Sequence, residues 1–415
     1  MSEATGSGEG GGSAVTGGSG GSGSSSGAGR ASGPGGSGGT GGRLDPVLAR
    51  GERLARVRDA MREAGVDVLC CSLGADLPWL TGYEAMPLER ITMLVLPVDD
   101  EATLVVPALE APRVAHDARL FAMRPWAESE NPIGVIASLV GSRAELAISD
   151  RCWSGHLLAL QSALPTARWR PASAVTAPLR SVKDAAEIAA LEAAGAAADR
   201  VAEALLSGEI PLVGRREADV SKELGERLVA EGHHHVNFAI VGSGPNSASP
   251  HHEAGERVIR EGEAVVCDFG GTLYLGDTVG YCSDTTRTVF TGEPPAEFAE
   301  LYEVLESAQR QAVEAAVVGA SCESVDAAGR QPIEKAGYGE AFIHRIGHGI
   351  GIEEHEDPYM VEGNTTPIVP GHAFSVEPGI YLEGRFGARI EDIVVASEVG
   401  PIPCNRSDHS LHVVV

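Results

Sequence analysis

The 415-residue sequence predicts an α/β domain followed by an α+β domain, and three observations carry that reading. Between residues 44 and 175, short β-rich runs alternate with helical patterns. From residue 176 to 415 the order helix, helix, strands occurs twice. Ahead of both, residues 1–42 are almost entirely Gly, Ser, Ala and Thr, with Glu3, Glu9 and Arg30 the only charges. Such a segment has too little apolar surface to offset its chain entropy, so a disordered, flexible tail is expected there.

The elements follow in order. Asp45-Pro46 reads as a helix N-cap with proline at the first helical position. Val47, Leu54, Val57 and Met61 recur at roughly helical spacing up to Ala64, and Gly65 stands where a helix-ending glycine is expected. Val66–Ser72, Ile91–Pro97, Ala102–Ala108 and Glu145–Ser149 read as strands. After Pro171-Ala172-Ser173 the pattern loosens and the second domain begins. Asp184 and Glu187 form a capping box in front of the periodic Ile188, Leu191, Ala194, Val201 and Leu205. Arg216–Glu231 is the second helix, Val236–Thr291 is strand-rich, and two further helices are expected near Pro295–Val318 and Glu323–Ala336. Strands then run to the C-terminus. The two halves share this order without visible sequence identity.

Charge and composition exclude several classes. A formal charge of -26 disfavours nucleic acid and anionic membranes, which require clustered Lys and Arg. No apolar run suits a signal peptide or a membrane helix, so a soluble cytoplasmic protein is expected. The seven cysteines are scattered and lack any C-x-x-C spacing, the pattern of reduced, buried thiols rather than a disulfide or zinc framework.

The chemistry starts at Ala264–Thr288, where Asp268 and Asp284 occupy matching points of a predicted hairpin. Two carboxylates aimed at one point repel unless a cation lies between them. Three later stretches add ionisable residues in apolar surroundings: His344–Glu356 with His348 and His355, Phe374–Tyr381 with Glu377, and Gly387–Val395 with Arg389 and Glu391. Strand alternation puts Arg389 and Glu391 on one face and Ile390 on the other. An inward carboxylate on an apolar strand costs several kcal/mol unless it is paired or bound to metal. Asp268, Asp284, His348, Glu377 and Glu391 together make an oxygen-rich set with one nitrogen, suited to Mn²⁺, Co²⁺ or Zn²⁺. Four negative charges exceed what one divalent ion needs, so two ions bridged by two of the carboxylates fit better.

The order of these motifs resembles the pita-bread metallopeptidases, in particular the proline-specific branch of Xaa-Pro dipeptidases (prolidases) and aminopeptidase P. The likeness covers residues 44–415 and rests on Asp268, Gly280-Tyr-Cys-Ser-Asp284-Thr-Thr-Arg-Thr, Gly347-His348-Gly-Ile-Gly, Ser375-Val-Glu377-Pro-Gly and Arg389-Ile-Glu391-Asp392. It implies a creatinase-like N-terminal α/β domain (44–175) and a pita-bread catalytic domain (176–415). It further implies Asp284 and Glu391 as carboxylates bridging two metal ions, Asp268 on one ion, and His348 and Glu377 on the other, with Mn²⁺ the first choice. Glu377 would accept a proton from the bridging water, His251 would steady the substrate, and His355 would contact its carbonyl or the tetrahedral intermediate. Arg389 would support the bridging carboxylates. The implied reaction is metal-hydroxide attack on the carbonyl before proline in short proline-containing peptides, by a homodimer, with a dipeptidase slightly favoured over an aminopeptidase.

Other readings stand beside it. The same fold without metal, or with other chemistry, hydrolyses small amides such as creatine or ectoine, and a catalytically inactive pita-bread module would bind without reacting. The complete set of five ligands counts against the metal-free and the inactive versions. The linker from Asp268 to Asp284 is longer than in the shortest family members and contains Asp277, a false candidate for the second ligand, so a longer turn at the rim of the site is expected. His233-His234-His235 alternates faces on an extended strand and is read as a polar connection rather than one metal site. Trp79–Tyr83 resembles a stretch that covers the family's active site, with a buried aromatic pair as the other reading.

Overall fold

A computed structural model describes residues 46–276 and 279–414. The expected tail at 1–42, the cap Asp45 and Asp277 lie outside the described residues. The first helix, α1 (Pro46–Ala64), ends at Gly65, whose φ of 63° is open to glycine at no steric cost. Six strands follow: β1 (Val68–Cys71), β2 (Met93–Pro97), β3 (Thr103–Pro107), β4 (Ala122–Trp126), β5 (Glu145–Ile148) and β6 (Arg168–Pro171). They form one mixed sheet in the order β4-β3-β2-β1-β5-β6. Alternation along β1 divides its side chains between two cores. Leu69 and Cys71 face a cluster with Val57 and Met61 of α1, whereas Val68 and Cys70 join Ile136, Val140 and Leu160. These last come from α3 (Pro132–Val140) and α4 (Ser154–Ala163), reached after the short α2 (Asp76–Thr81). Helices therefore cover both faces, which is why the central strands read as continuous apolar runs. β4 and β6 were not among the expected strands. Both lie at the sheet's edges and carry Arg and Pro, so their β signal is weak.

Helix α5 (Ser173–Arg180) leads to α6 (Ala185–Leu206), where both bonds of the Asp184–Glu187 capping box are present. The cap also joins the layers. Arg53 of α1 donates to Asp184 at 2.7 Å, and Trp79 Nε1 and Tyr281 Oη donate to Glu187 at 3.0 and 2.6 Å. Trp79 and Tyr83 are both buried, the second of the two readings given for that stretch.

The remaining chain contains two sheets, each backed by a helix pair. The first has the order β18-β10-β8-β7, with β9 paired to β8. Its strands are β7 (His233–Ser243), β8 (Ala264–Tyr274), β9 (Gly280–Cys282), β10 (Thr285–Thr291) and β18 (His412–Val414). Val201 and Leu205 of α6, with Val220, Leu224 and Leu228 of α7 (Glu217–Ala230), pack on Val265, Cys267 and Phe269 of β8. The second sheet runs β12-β11-β13-β16-β17, from β11 (Gly347–Gly349), β12 (Glu356–Met360), β13 (Ala373–Val376), β16 (Asp392–Val395) and β17 (Ile402–Pro403). Its core takes Phe298, Leu301 and Leu305 from α8 (Ala296–Ala315), Val325 and Ile333 from α9 (Cys322–Lys335), and Phe374, Val376 and Val394. The hairpin β14 (Gly379–Leu382) and β15 (Phe386–Arg389) lies between β13 and β16 in sequence, and a bridge between Thr286 and Glu391 brings the two sheets together. All seven cysteines are free, and six are buried. Among the described residues no helix is long and apolar enough to cross a membrane.

Candidate active site

A cavity of about 670 Å³ opens where the two sheets meet, and every residue singled out above lines it: Asp268, Asp284, His348, Glu377, Glu391, His251, His355 and Arg389. Asp268 comes from mid-β8, and Asp284 from the break between β9 and β10. Glu377 and Glu391 sit at the ends of the apolar β13 and β15–β16 runs. Their neighbours Val376 and Ile390 point into the hydrophobic core, as alternation requires.

Ligand atoms of Asp284, His348 and Glu391 lie within 4.8 Å of one another. His348 Nδ1 is 3.1 Å from the Gly349 carbonyl, so that nitrogen carries the proton and Nε2 is left as a lone pair. This Nε2 faces Glu377 Oε1 at 3.2 Å and Asp284 Oδ2 at 3.7 Å. Burial, and then the neighbouring His355, push the imidazole down to about 3, so it is neutral in the working range. An acceptor nitrogen aimed at two acceptor oxygens is the arrangement a cation completes. Burial, with mutual carboxylate repulsion, holds Asp284 and Glu391 well above the usual carboxylate range. Burial also raises Glu377, to about 7. Asp268 Oδ1 is buried with no hydrogen-bond partner. By donor type, burial and an orphaned oxygen, this set fits divalent cations.

Arg389 differs in part from the role that the resemblance implied. Its guanidinium binds Asp268 directly and donates through Nε to Thr286 Oγ1 at 3.0 Å. The Thr286 hydroxyl in turn donates to Glu391 Oε2 at 2.6 Å. Arg389 thus reaches one expected bridge, Glu391, only through Thr286. Nη1 of Arg389 also donates to Tyr381 Oη at 3.0 Å, and Tyr381 lies 3.0 Å from His344 Nε2. With His344 Nδ1 at 2.7 Å from the Arg345 carbonyl, the Tyr381 hydroxyl must donate to Nε2. Thr286, Tyr381 and His344 were not singled out from sequence, although all three stand inside the motif stretches.

Further lining residues were also missed. Phe238, Ile240 and Ile343 supply apolar wall, and Arg345 stands among them with its guanidinium 4.4 Å from the Tyr359 ring. Arg345 makes no ion pair among the described residues. His355 packs its ring on His348 at a centroid distance of 4.0 Å.

The long linker between Asp268 and Asp284 continues the β8–β9 hairpin instead of edging this cavity. Tyr274 donates to Glu84 at 2.7 Å, and Thr272, Tyr274, Val279 and Gly280 line a separate cavity of about 380 Å³. The expected rim position is therefore corrected for the described part of that turn, because strand pairing carries it away from the site. The three histidines serve this hairpin separately. His233 Nε2 meets Ser283 Oγ at 2.8 Å, His234 packs edge-on to Tyr274, and His235 lines the second cavity.

Residues 189–398 match the family model described as Metallopeptidase family M24, and residues 53–182 match the Creatinase/Prolidase N-terminal domain. A probable dipeptidase PepE of Mycobacterium tuberculosis is 44% identical over 366 residues, covering 87% of this chain and 96% of that protein. An Xaa-Pro dipeptidase of Lactobacillus helveticus is 32% identical, covering 87% and 98%. Among solved structures, a prolidase from Thermococcus sibiricus superposes with a TM-score of 0.82 at 35% identity, covering 89% and 99%.

Proposed function

The chain belongs to metallopeptidase family M24, and from that premise we propose that it hydrolyses Xaa-Pro dipeptides with the help of two divalent cations. The observation that carries the metal reading is the lone pair of His348 Nε2, which faces the carboxylates of Asp284 and Glu377 in a buried pocket. In this reading Asp268, Asp284, His348, Glu377 and Glu391 hold the cations, with Asp284 and Glu391 shared between them and Mn²⁺ the first choice. Bound there, the cations supply Lewis acidity and an acidified water.

The chain's own residues supply the rest. Glu377, whose Oε1 accepts from Ser375 Oγ at 3.0 Å, is placed to accept and return a proton of the attacking water. His355, on the cavity wall, donates to the substrate carbonyl as charge develops on its oxygen, and His251, on the same wall, steadies the substrate. Arg389 fixes Asp268 directly and Glu391 through Thr286. Phe238, Ile240 and Ile343 offer apolar wall to the side chains of the substrate. Arg345, cationic and without an ion pair among the described residues, is suited to the free carboxylate of a dipeptide, which favours a dipeptidase over an aminopeptidase. Homodimer assembly, a cytoplasmic location and the division into domains 44–175 and 176–415 belong to the same reading.

The test is to prepare the protein free of metal, restore Mn²⁺, Co²⁺ or Zn²⁺, and compare Xaa-Pro dipeptides with Xaa-Pro-Yaa tripeptides. Dipeptides are expected to be hydrolysed more efficiently, and Arg345→Met to raise their KM about tenfold or more. Failure on both substrate classes with every metal would sink the proposal.

A further inference from the structure

His355 stands on the segment Ile350–His355, which has no regular secondary structure. Its ring makes no hydrogen bond among the described residues and touches only the His348 ring there, so its position depends largely on what holds the backbone around it. Backbone bonds from Ile350 to the Ala373 carbonyl at 3.1 Å and from Cys282 to the Gly351 carbonyl at 2.8 Å hold the start of the segment, and two glutamates, one at each side of His355, hold the rest. Glu353 Oε2 accepts from Arg180 at 2.6 Å, and Glu353 Oε1 lies 2.8 Å from Arg151. Glu356, which is 8% exposed, accepts from Lys183 at 2.7 Å through Oε1 and from Arg180 through Oε2. Arg180 also donates to Asp76 of α2 at 3.1 Å.

Every cation of this cluster comes from outside the two catalytic sheets. Arg151 precedes α4, Arg180 is the last residue of α5, and Lys183 follows in the link to α6. Three cations meet the three carboxylates Asp76, Glu353 and Glu356, so the cluster is charge-balanced without an added ion. A cavity of about 220 Å³ adjoins it, lined by Arg151, Arg180 and His355 among others, so close packing does not hold the segment on that side.

We propose that Arg180, assisted by Lys183, is a positioning residue for the reaction: it fixes Glu353 and Glu356 and thereby places His355 against the substrate. The link between the N-terminal sheet and the catalytic sheets then sets the geometry of the reacting centre. The proposal rests on the assignment of His355 to the substrate carbonyl given above.

Two measurements on the Mn²⁺-loaded full chain separate the two ideas. The first is the double-mutant cycle of Arg180→Gln and His355→Ala, with Ala-Pro as substrate. Arg180→Gln is expected to lower kcat about tenfold with KM nearly unchanged, since small misplacements of a reacting group are costly. In the His355→Ala background the same change should cost less than about twofold. Arg180→Lys should recover part of the loss. The second is hydrogen exchange, which needs no substrate: the peptide over 350–357 should exchange about tenfold faster in Arg180→Gln, with α8 (296–315) unchanged. Losses that multiply in the double variant, or exchange and kcat both within twofold of the parent, overturn the proposal. A His355→Ala variant with full activity refutes the role of His355, while faster exchange in Arg180→Gln still supports the anchoring. Should Arg180→Gln not fold, Lys183→Gln removes one ion pair of the cluster only and must move both readouts the same way by less; unchanged values overturn the proposal.

Discussion

Two groups of carboxylates in this molecule differ in the cations they meet. At the junction of the first sheet with the catalytic sheets, Asp76, Glu353 and Glu356 are matched by Arg151, Arg180 and Lys183. Glu356 there is held below the usual carboxylate range, because the pull of Lys183 and Arg180 outweighs the cost of burial. In the candidate active site, of Asp268, Asp284, Glu377 and Glu391 only Asp268 is directly bonded to a guanidinium among the described residues, that of Arg389. Asp284, Glu377 and Glu391 are all raised. Burial raises Asp76 of the junction as well, where Arg180 is its one cation, so the depression is confined to Glu356, whose two cations outweigh burial. A fold that balances charge in one buried cluster and leaves it unbalanced in another has reserved the second for cations from solution.

The largest effect that follows is at Glu391. Glu391→Ala removes a carboxylate that the proposed function shares between both cations, so at least one ion should be lost and kcat should fall at least ~10²-fold, beyond the loss usual for a supporting residue. Metal content by elemental analysis together with turnover checks this. A variant that keeps two ions and full activity refutes the shared role.

Next in size is a difference of sign. In metal-free protein near pH 8, Glu391→Gln relieves a buried carboxylate that is short of cations and should raise stability by about 1–2 kcal/mol. Glu356→Gln leaves Lys183 and Arg180 less compensated and should lower it by about 2 kcal/mol. Urea unfolding of both variants measures the pair. Equal signs would erase the distinction between the two clusters, and saturating Mn²⁺ should reverse the effect at Glu391 alone.

The two regions also differed in how far the sequence revealed them. The active-site residues stand in short motifs where an ionisable side chain interrupts an apolar strand, and that anomaly is visible without coordinates. Alternation alone placed Ile390 opposite Arg389 and Glu391. The capping box at Asp184 was legible for the same reason, since both of its bonds lie within one helical turn. Partners set by long-range pairing were not legible. Arg389 meets Asp268 because the β14–β15 hairpin is brought against β8 and β10, and no local pattern encodes that approach. The junction cluster was invisible altogether. Asp76, Arg151, Arg180, Lys183, Glu353 and Glu356 come from separate segments, and each alone reads as an ordinary surface charge. The long turn before Asp284 was misplaced because a linker's length says nothing of its direction, which the pairing of Thr272 with Cys282 decides.

The smallest expected effect is the pH dependence of the junction. Glu356 has its folded pKa depressed below the ordinary 4.5, with burial the largest influence but Lys183 and Arg180 together stronger. Its stabilisation is therefore present in full above the unfolded value and is lost as pH falls through the lower, folded one. The raised site carboxyls have the reverse sign in metal-free protein. Their favourable contribution exists below the unfolded pKa and disappears as pH rises, for Glu377 through about 7. Buried His344 and His348, both pushed down to about 3, also weaken the fold as pH drops below the ordinary histidine value of 6.5. A single melting curve sums all of these, so the quantity to follow is the stability difference between parent and Glu356→Gln. It should stay constant from pH 8 to 5 and shrink below pH 4.5. A difference that instead changes between pH 6 and 8 would place the coupled titration at the site carboxyls and show that the two clusters are not independent.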